Sequence, residues 1–145
     1  MAERSKFHYW VLALVFLISC ILYLMTKMLG IDWGEKRIGL AIADDSLAQP
    51  YGLVGEFAEL EKVIEKEGVE KVVLGLPEGK HEKQVRALAR KIEALGIPVV
   101  FRSEILTSRE ALQKAIEAGK SKKSRRQLDA LSAALLLQEH LDNPK

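Results

Sequence analysis

The chain has 145 residues, of which 48% are hydrophobic and 29% are charged, with a net charge of +2 at pH 7. Ten glycines and four prolines are too few for a collagen-like or disordered chain. A single cysteine excludes a disulfide framework and a cysteine zinc cluster. The small net charge does not by itself predict a nucleic-acid partner.

Residues 1–27 form an apolar N-terminal segment. From Tyr9 to Met25, 16 of 17 residues are apolar, and cations flank this stretch on both sides. A run of this length is at the lower limit for crossing a bilayer. The segment therefore predicts an apolar helix that could contact a membrane through residues 9–25.

Two interpretations of this helix remain open: a membrane anchor, or a start placed too early, with the working chain beginning at Met25 or Met28. Only Thr26 and Lys27 separate the apolar run from the first predicted strand, and two residues span at most about 7 Å. This short connection favours the early start. The basic, thiol-free remainder predicts a cytoplasmic location, with any tether on the cytoplasmic side of the membrane.

Residues 28–145 predict one α/β domain. Two apolar runs joined by a four-residue polar turn indicate a β-hairpin, and three more apolar runs indicate further strands. The predicted strands are Met28–Trp33, Ile38–Ala43, Gln49–Phe57, Lys71–Leu76 and Ile97–Phe101. Helical spacing and capping boxes predict helices over Ala58–Glu67, Val85–Leu95, Thr107–Ala118 and Ser124–Leu141. This order predicts a mixed five-stranded sheet with helices on both faces.

Three acids lie in unexpected positions, although each also has a structural explanation. Asp32 interrupts an apolar strand, where it could accept backbone hydrogen bonds, and Glu104 follows a strand, where it could be exposed. Asp129 is in an apolar helix, near an N-terminus whose dipole favours an acid. If the first strand is central and the last helix crosses it, all three carboxylates meet at one sheet edge.

Carboxylates without His or Cys are ligands suited to Mg²⁺ or Mn²⁺. Two such ions can activate a water and stabilise the leaving oxygen in phosphodiester hydrolysis. We therefore predict that Asp32, Glu104 and Asp129 are metal ligands and catalytic residues.

A basic tract precedes the last predicted helix, with five cations in the seven residues from 120 to 126. A solvated loop with no partner would also explain it, but its position beside Asp129 favours contact with phosphates. The predicted nucleic-acid-binding residues are Arg37, Lys120, Lys122, Lys123, Arg125 and Arg126. The three histidines have no spacing typical of a metal site and are expected on the surface.

Four segments resemble the motifs of the YqgF/RuvX family, whose members are described as Holliday-junction resolvases and as pre-16S rRNA nucleases. They occur in the family's order and are Leu29–Ala41, Val73–Pro77, Ser103–Ala111 and Leu128–Gln138. The resemblance implies an RNase H-like fold and metal-dependent cleavage of structured nucleic acid. Ribosomal RNA maturation is the implied role, with branched DNA as the alternative substrate. The family's acidic triad falls on Asp32, Glu104 and Asp129.

The chain departs from the family pattern beside Glu104. Ser103 stands where the family has Asp, Ile105 stands where it has Arg, and the stretch after Pro77 is shorter. These departures predict a weaker nuclease. They also leave open a nucleic-acid-binding module without catalysis. A third alternative, a nucleotide-binding fragment related to actin-like kinases, would need a second lobe that this length cannot supply.

Overall fold

The computed structural model describes residues 2–24, 26–44, 46–77, 79–103 and 122–144; within the two terminal helices it describes the side chains of residues 4–21 and 126–144. In chain order the elements are α1 (Ala2–Leu24), β1 (Met28–Asp32), β2 (Ile38–Ala43), β3 (Ala48–Val54), α2 (Phe57–Glu67), β4 (Lys71–Leu76), α3 (Glu82–Glu93), β5 (Val99–Ser103) and α4 (Lys122–Asp142). The helix predicted over Thr107–Ala118 lies outside the described residues.

The strands form one mixed sheet in the order β3-β2-β1-β4-β5, so β1 is central. β1 pairs antiparallel with β2 and parallel with β4, while β2 pairs antiparallel with β3 and β4 parallel with β5. The predicted hairpin and five-stranded sheet are confirmed. Because β1, β4 and β5 are parallel, their carboxyl ends lie at the same edge of the sheet.

Side-chain alternation along β1 assigns the two faces of the sheet. Leu29 and Ile31 are fully buried in a core shared with α2 and α3. Gly30 faces α4, whose Leu137 and Ala133 belong to the smaller core on the other side. Helices therefore cover both faces, as predicted, and Asp32 follows Gly30 on the face of α4.

α4 lies unusually close to the sheet because β1 and β2 carry glycines beneath it. A Cβ on Gly30 would be 2.8 Å from the Cβ of Leu137 and 2.9 Å from the carbonyl oxygen of Ala133. Any side chain there would push the helix outward. The sequence of β1 thus sets how deeply α4 packs against the central strand.

α1 is one continuous helix, which confirms the predicted apolar N-terminal helix. Its described side chains are exposed except that of Cys20, which is half-buried. Over Arg4–Ile21 it is long and apolar enough to cross a bilayer, judged by length and composition alone. At its base, Lys27 pairs with Asp44 and Glu67, which ties the start of β1 to its neighbours.

The structure corrects several expectations. β3 ends at Val54 rather than at Phe57, because Phe57 begins α2. α4 begins at Lys122, so Ser124 lies inside the helix and is not its N-cap. β5 is Val99–Ser103 and extends two residues beyond the predicted end, because Arg102 and Ser103 still pair with β4. His140, expected on the surface, is 3% exposed, because the C-terminal half of α4 packs against the sheet.

Candidate active site

Asp32 ends the central strand and is 9% exposed. Its Cα is paired with that of Gly39 on β2, and paired antiparallel Cα atoms lie about 4.5–5.5 Å apart. A buried carboxylate is costly unless another group or an ion stabilises it. Its position at the carboxyl end of β1 matches the predicted site.

Asp129 is brought to the same place by the backbone of α4. A Cβ on Gly39 would be 2.1 Å from the carbonyl oxygen of Asp129 and 2.5 Å from its carbonyl carbon. The backbone of Asp129 therefore lies directly over the residue that is paired with Asp32. Two of the three predicted carboxylates are thus at one end of β1, on one face of the sheet.

Glu104 lies outside the described residues, but the residue before it is placed. Ser103 ends β5 and is paired with Leu76 of β4. Asp32 is one residue beyond Ile31, which is paired with Leu74, so Asp32 is level with Gly75 and Arg102. Ser103 therefore lies at the same sheet edge as Asp32, two strands away from β1.

The donor set fits a divalent cation with a preference for oxygen ligands. The two carboxylates supply oxygen atoms only, which suits Mg²⁺ or Mn²⁺ rather than zinc. Within the described part of the chain, no group of three ligating side chains is present. The third ligand predicted from the sequence, Glu104, falls in the part that is not described.

Arg37 contacts Asp129 directly. Its Nε donates a hydrogen bond to Oδ2 of Asp129 at 2.5 Å, and each side chain is a little over one third exposed. Arg37 ends the turn between β1 and β2, and a Cβ on Gly34 would be 2.8 Å from its carbonyl oxygen. The tight turn fixes the backbone of Arg37, while its long side chain can reach in more than one direction.

A groove of about 1000 Å³ opens beside this ion pair, between edge strand β3 and the first turns of α4. Its cations are Lys36, Arg37 and Arg126, and none of the described lining residues is acidic. The remaining wall is Pro50, Tyr51, Gly52, Leu53, Val54, Gly55, Gln127, Ala130 and Leu131. Arg37 both lines this groove and contacts Asp129.

The basic tract is helical from residue 122 onward, two residues before the predicted helix start at Ser124. Positions 122, 123, 125 and 126 occupy the first turns of α4, and the first turn carries no acid. Cations at a helix N-terminus oppose the helix dipole, so these positions gain from an anionic partner. Arg126 lines the groove; the side chains of Lys122, Lys123 and Arg125, and all of Lys120, lie outside the described residues.

Sequence reasoning missed two features, one in the groove and one at the far end of α4. Lys36 lines the groove beside Arg37, and its place in the same turn was the available signal. Arg102 Nε donates to Nδ1 of His140 at 3.3 Å, while its Nη2 is buried without a hydrogen-bond partner. Burial, together with the nearby charges of Lys71 and Arg102, lowers the pKa of His140. Nothing in the sequence spacing indicated this cluster.

Comparisons with known proteins identify the family of this chain. The sequence model of RuvX, described as a Holliday junction resolvase, matches residues 26–143. The chain belongs to the RuvX family. α1 lies outside the matched residues. Because the chain belongs to this family, it is a phosphodiester-hydrolysing endonuclease, which is the enzyme class predicted from the sequence.

Relatives in the RuvX family carry the name "Putative pre-16S rRNA nuclease". The protein of Syntrophomonas wolfei is 37% identical over 132 residues, covering 80% of this chain and 94% of the relative. That of Caldanaerobacter subterraneus subsp. tengcongensis is 35% identical over 136 residues, covering 82% and 98%. That of Porphyromonas gingivalis is 36% identical over 136 residues, covering 83% and 99%.

A solved structure supports the RNase H-like fold expected of a RuvX protein. T. thermophilus RuvC in complex with a Holliday junction substrate superposes with a TM-score of 0.50 at 16% identity. The match covers 77% of this chain and 91% of that chain. At this identity the similarity concerns the fold alone.

Proposed function

We propose that this RuvX protein is a metal-dependent endonuclease that matures the 5′ end of pre-16S ribosomal RNA. The observation that carries the proposal is the position of Asp129 against Gly39, the partner of Asp32. Two acidic residues close to one end of β1, with a basic groove lined by Arg37, support a metal-dependent nuclease. The relatives named as pre-16S rRNA nucleases support this substrate class.

Asp32 and Asp129 would hold the ion, with Glu104 as the third ligand. A divalent ion bound there supplies an activated water and charge stabilisation for the leaving oxygen. The buried position of Asp32 keeps its carboxylate oriented, because a residue at the end of a central strand has little freedom to move. The domain's own cations then position the scissile phosphate.

The groove would bind the RNA backbone through charge rather than through base recognition. Lys36, Arg37 and Arg126 can neutralise phosphates and release counterions. This arrangement recognises a backbone next to the carboxylates and leaves base specificity to RNA shape.

The test is cleavage of a pre-16S rRNA transcript with Mg²⁺, with Mn²⁺ and with EDTA. We expect metal-dependent cuts near the 5′ end of the mature sequence and none with EDTA. Asp32→Asn should abolish them and leave circular dichroism unchanged. Asp44→Asn is the matched control, because Asp44 follows the other end of β2. Equal cleavage by wild type and Asp32→Asn would contradict the proposal.

A four-way DNA junction is the second candidate substrate, because the matching family model is described as a Holliday junction resolvase. The same assay separates the two candidates. Symmetric nicking of the junction with no cleavage of the transcript would favour the DNA substrate. Tight, salt-sensitive binding of either nucleic acid without metal-dependent cleavage would favour a binding module.

We further propose that the domain acts in the cytoplasm, where precursor ribosomal RNA is processed in bacteria. α1 joins the sheet at the amino end of β1, opposite the edge that carries Asp32. If α1 is present on the native protein and inserts into lipid, the groove would remain accessible from the cytoplasm. Intact mass of the native protein, followed by membrane fractionation, tests both points; recovery from the periplasm would contradict the location.

A further inference from the structure

Arg37 forms an ion pair with Asp129, whose carboxylate the proposed function requires for metal binding. Its Nε donates to Oδ2 of Asp129. A guanidinium and a divalent cation compete for the same carboxylate lone pairs, so both cannot use that oxygen fully at once. The ion pair is partly exposed, and an exposed pair is weak enough for a metal to displace.

Arg37 can also pair with an anion other than Asp129, because its side chain lines the groove. It lines the groove together with Lys36 and Arg126, and the described lining residues include no acid with which it could pair there. A guanidinium released from Asp129 would meet an anion in this groove without a change in backbone. Arg37 therefore has two alternative anionic partners: the carboxylate of Asp129 and a phosphate of nucleic acid bound in the groove.

We propose that Arg37 is an internal counter-ion switch that couples metal binding to binding of the nucleic-acid backbone. Without metal it neutralises Asp129; when a divalent ion takes Asp129, Arg37 turns to a phosphate in the groove. The inference rests on the proposed function, since it needs Asp129 to be a metal ligand. By linkage, the metal then raises the affinity for nucleic acid and nucleic acid raises the affinity for metal.

The first experiment is a calorimetric titration of the full chain with Mn²⁺ alone, in detergent and about 0.15 M KCl, which screens distant charges. Arg37→Ala should bind Mn²⁺ about threefold to fivefold more tightly than wild type, the range set by a partly exposed ion pair. Arg37→Lys should stay near wild type because it keeps a cation. Lys36→Ala is the matched control and should change the affinity less than about twofold, because among the described residues Arg37, and not Lys36, forms the ion pair with Asp129.

Each other outcome of this titration overturns the switch. An unchanged Mn²⁺ affinity in Arg37→Ala would show that Arg37 does not compete. A weaker affinity would show that it positions Asp129 instead. If Lys36→Ala raised the Mn²⁺ affinity as much as Arg37→Ala, the change would come from the loss of a positive charge and not from the contact with Asp129. If wild type itself binds no Mn²⁺, the proposed metal site fails, and the switch fails with it.

The second experiment measures binding of a fluorescent RNA duplex by anisotropy, once with Ca²⁺ and once with EDTA. Arg37→Ala should weaken binding about fivefold with Ca²⁺, as loss of one charged phosphate contact implies. With EDTA the loss should be less than about twofold, because Arg37 is then held by Asp129. Lys36→Ala should weaken binding equally in both conditions. An equal loss for Arg37→Ala in both conditions would identify a fixed phosphate contact and overturn the switch.

Discussion

A methyl group on Gly39 would push α4 away from the sheet at the point where Asp129 meets Asp32. The added Cβ would be 2.1 Å from the carbonyl oxygen of Asp129, whereas real Cβ contacts are essentially never shorter than 3.0 Å. The helix must therefore move by at least 0.9 Å, the difference between these two distances. Both atoms that clash belong to backbone, so no side-chain rotation relieves the contact.

Three other glycines of the sheet provide a graded series. Gly30→Ala would meet a Cβ at 2.8 Å and a carbonyl oxygen at 2.9 Å, while the closest contact of Gly75→Ala would be the end of the Leu136 side chain at 3.1 Å. Gly52→Ala would meet nothing within 4 Å. Overpacking typically costs about 1–3 kcal/mol. We expect losses of about 3 kcal/mol for Gly39, about 1–2 kcal/mol for Gly30 and under about 1 kcal/mol for Gly75.

Urea denaturation followed by circular dichroism measures the series. Gly52→Ala should leave the free energy of unfolding unchanged or raise it by up to about 1 kcal/mol, because alanine restricts the unfolded chain. Gly39→Ala should in addition weaken Mn²⁺ binding, since Asp129 moves relative to Asp32. A free energy for Gly39→Ala within about 0.5 kcal/mol of Gly52→Ala would refute the close approach of α4.

Three further predictions concern the core, the groove and the buried histidine. Leu137→Ala should lower the free energy of unfolding by about 2–5 kcal/mol in urea denaturation, because Leu137 of α4 is fully buried against the sheet; a loss under about 1 kcal/mol would contradict this packing. Arg126→Ala should weaken RNA binding similarly across sequences. In anisotropy titrations it should reduce the slope of log binding constant against log salt concentration by about 1. An unchanged slope would mean that Arg126 does not contact a phosphate in the groove. The pKa of His140 is lowered in the folded chain, so the unfolded chain takes up the proton first as pH falls below about 6.5. The free energy of unfolding of wild type should therefore fall below about pH 6.5, by at most about 1.4 kcal/mol per pH unit. His140→Asn should show a smaller dependence of this free energy on pH. An equal dependence in both proteins would contradict a lowered pKa of His140.

Local signals predicted most of the strands and helices. β4 matches its predicted bounds because an apolar core, Val72 to Leu74, lies between the turn at Gly68 and the break at Pro77. α2 ends where expected because Gly68 adopts a left-handed conformation with a φ of 64°. In these cases one short stretch of chain contains all the information.

Predictions failed where a neighbouring element decides the outcome. β5 continues through Arg102 and Ser103 because β4 offers hydrogen-bonding partners, although neither residue favours a buried strand. His140 is buried because Arg102 of β5 and the far end of α4 come together. Spacing along the chain contains no signal of such contacts.

The candidate site was partly predictable. An acid inside an apolar strand indicated Asp32, an acid inside an apolar helix indicated Asp129, and the motif resemblance pointed to both. Their meeting depends on the angle at which α4 crosses the sheet, which Gly30 and Gly39 permit by leaving space for the helix. The pairing of Arg37 with Asp129 could not be predicted, because it arises only once the turn and the helix are in contact.

Paramagnetic broadening by Mn²⁺ in amide NMR spectra tests the central claim most directly. The ion should broaden the signals of Asp32, Gly39 and Asp129 first, because these residues meet at the carboxyl end of β1. The signals of Ala43 and Asp44, at the opposite end of β2, should stay sharp at the same ratio of metal to protein. Broadening centred at Asp44, or spread evenly over the surface acids, would contradict a metal site at this edge of the sheet.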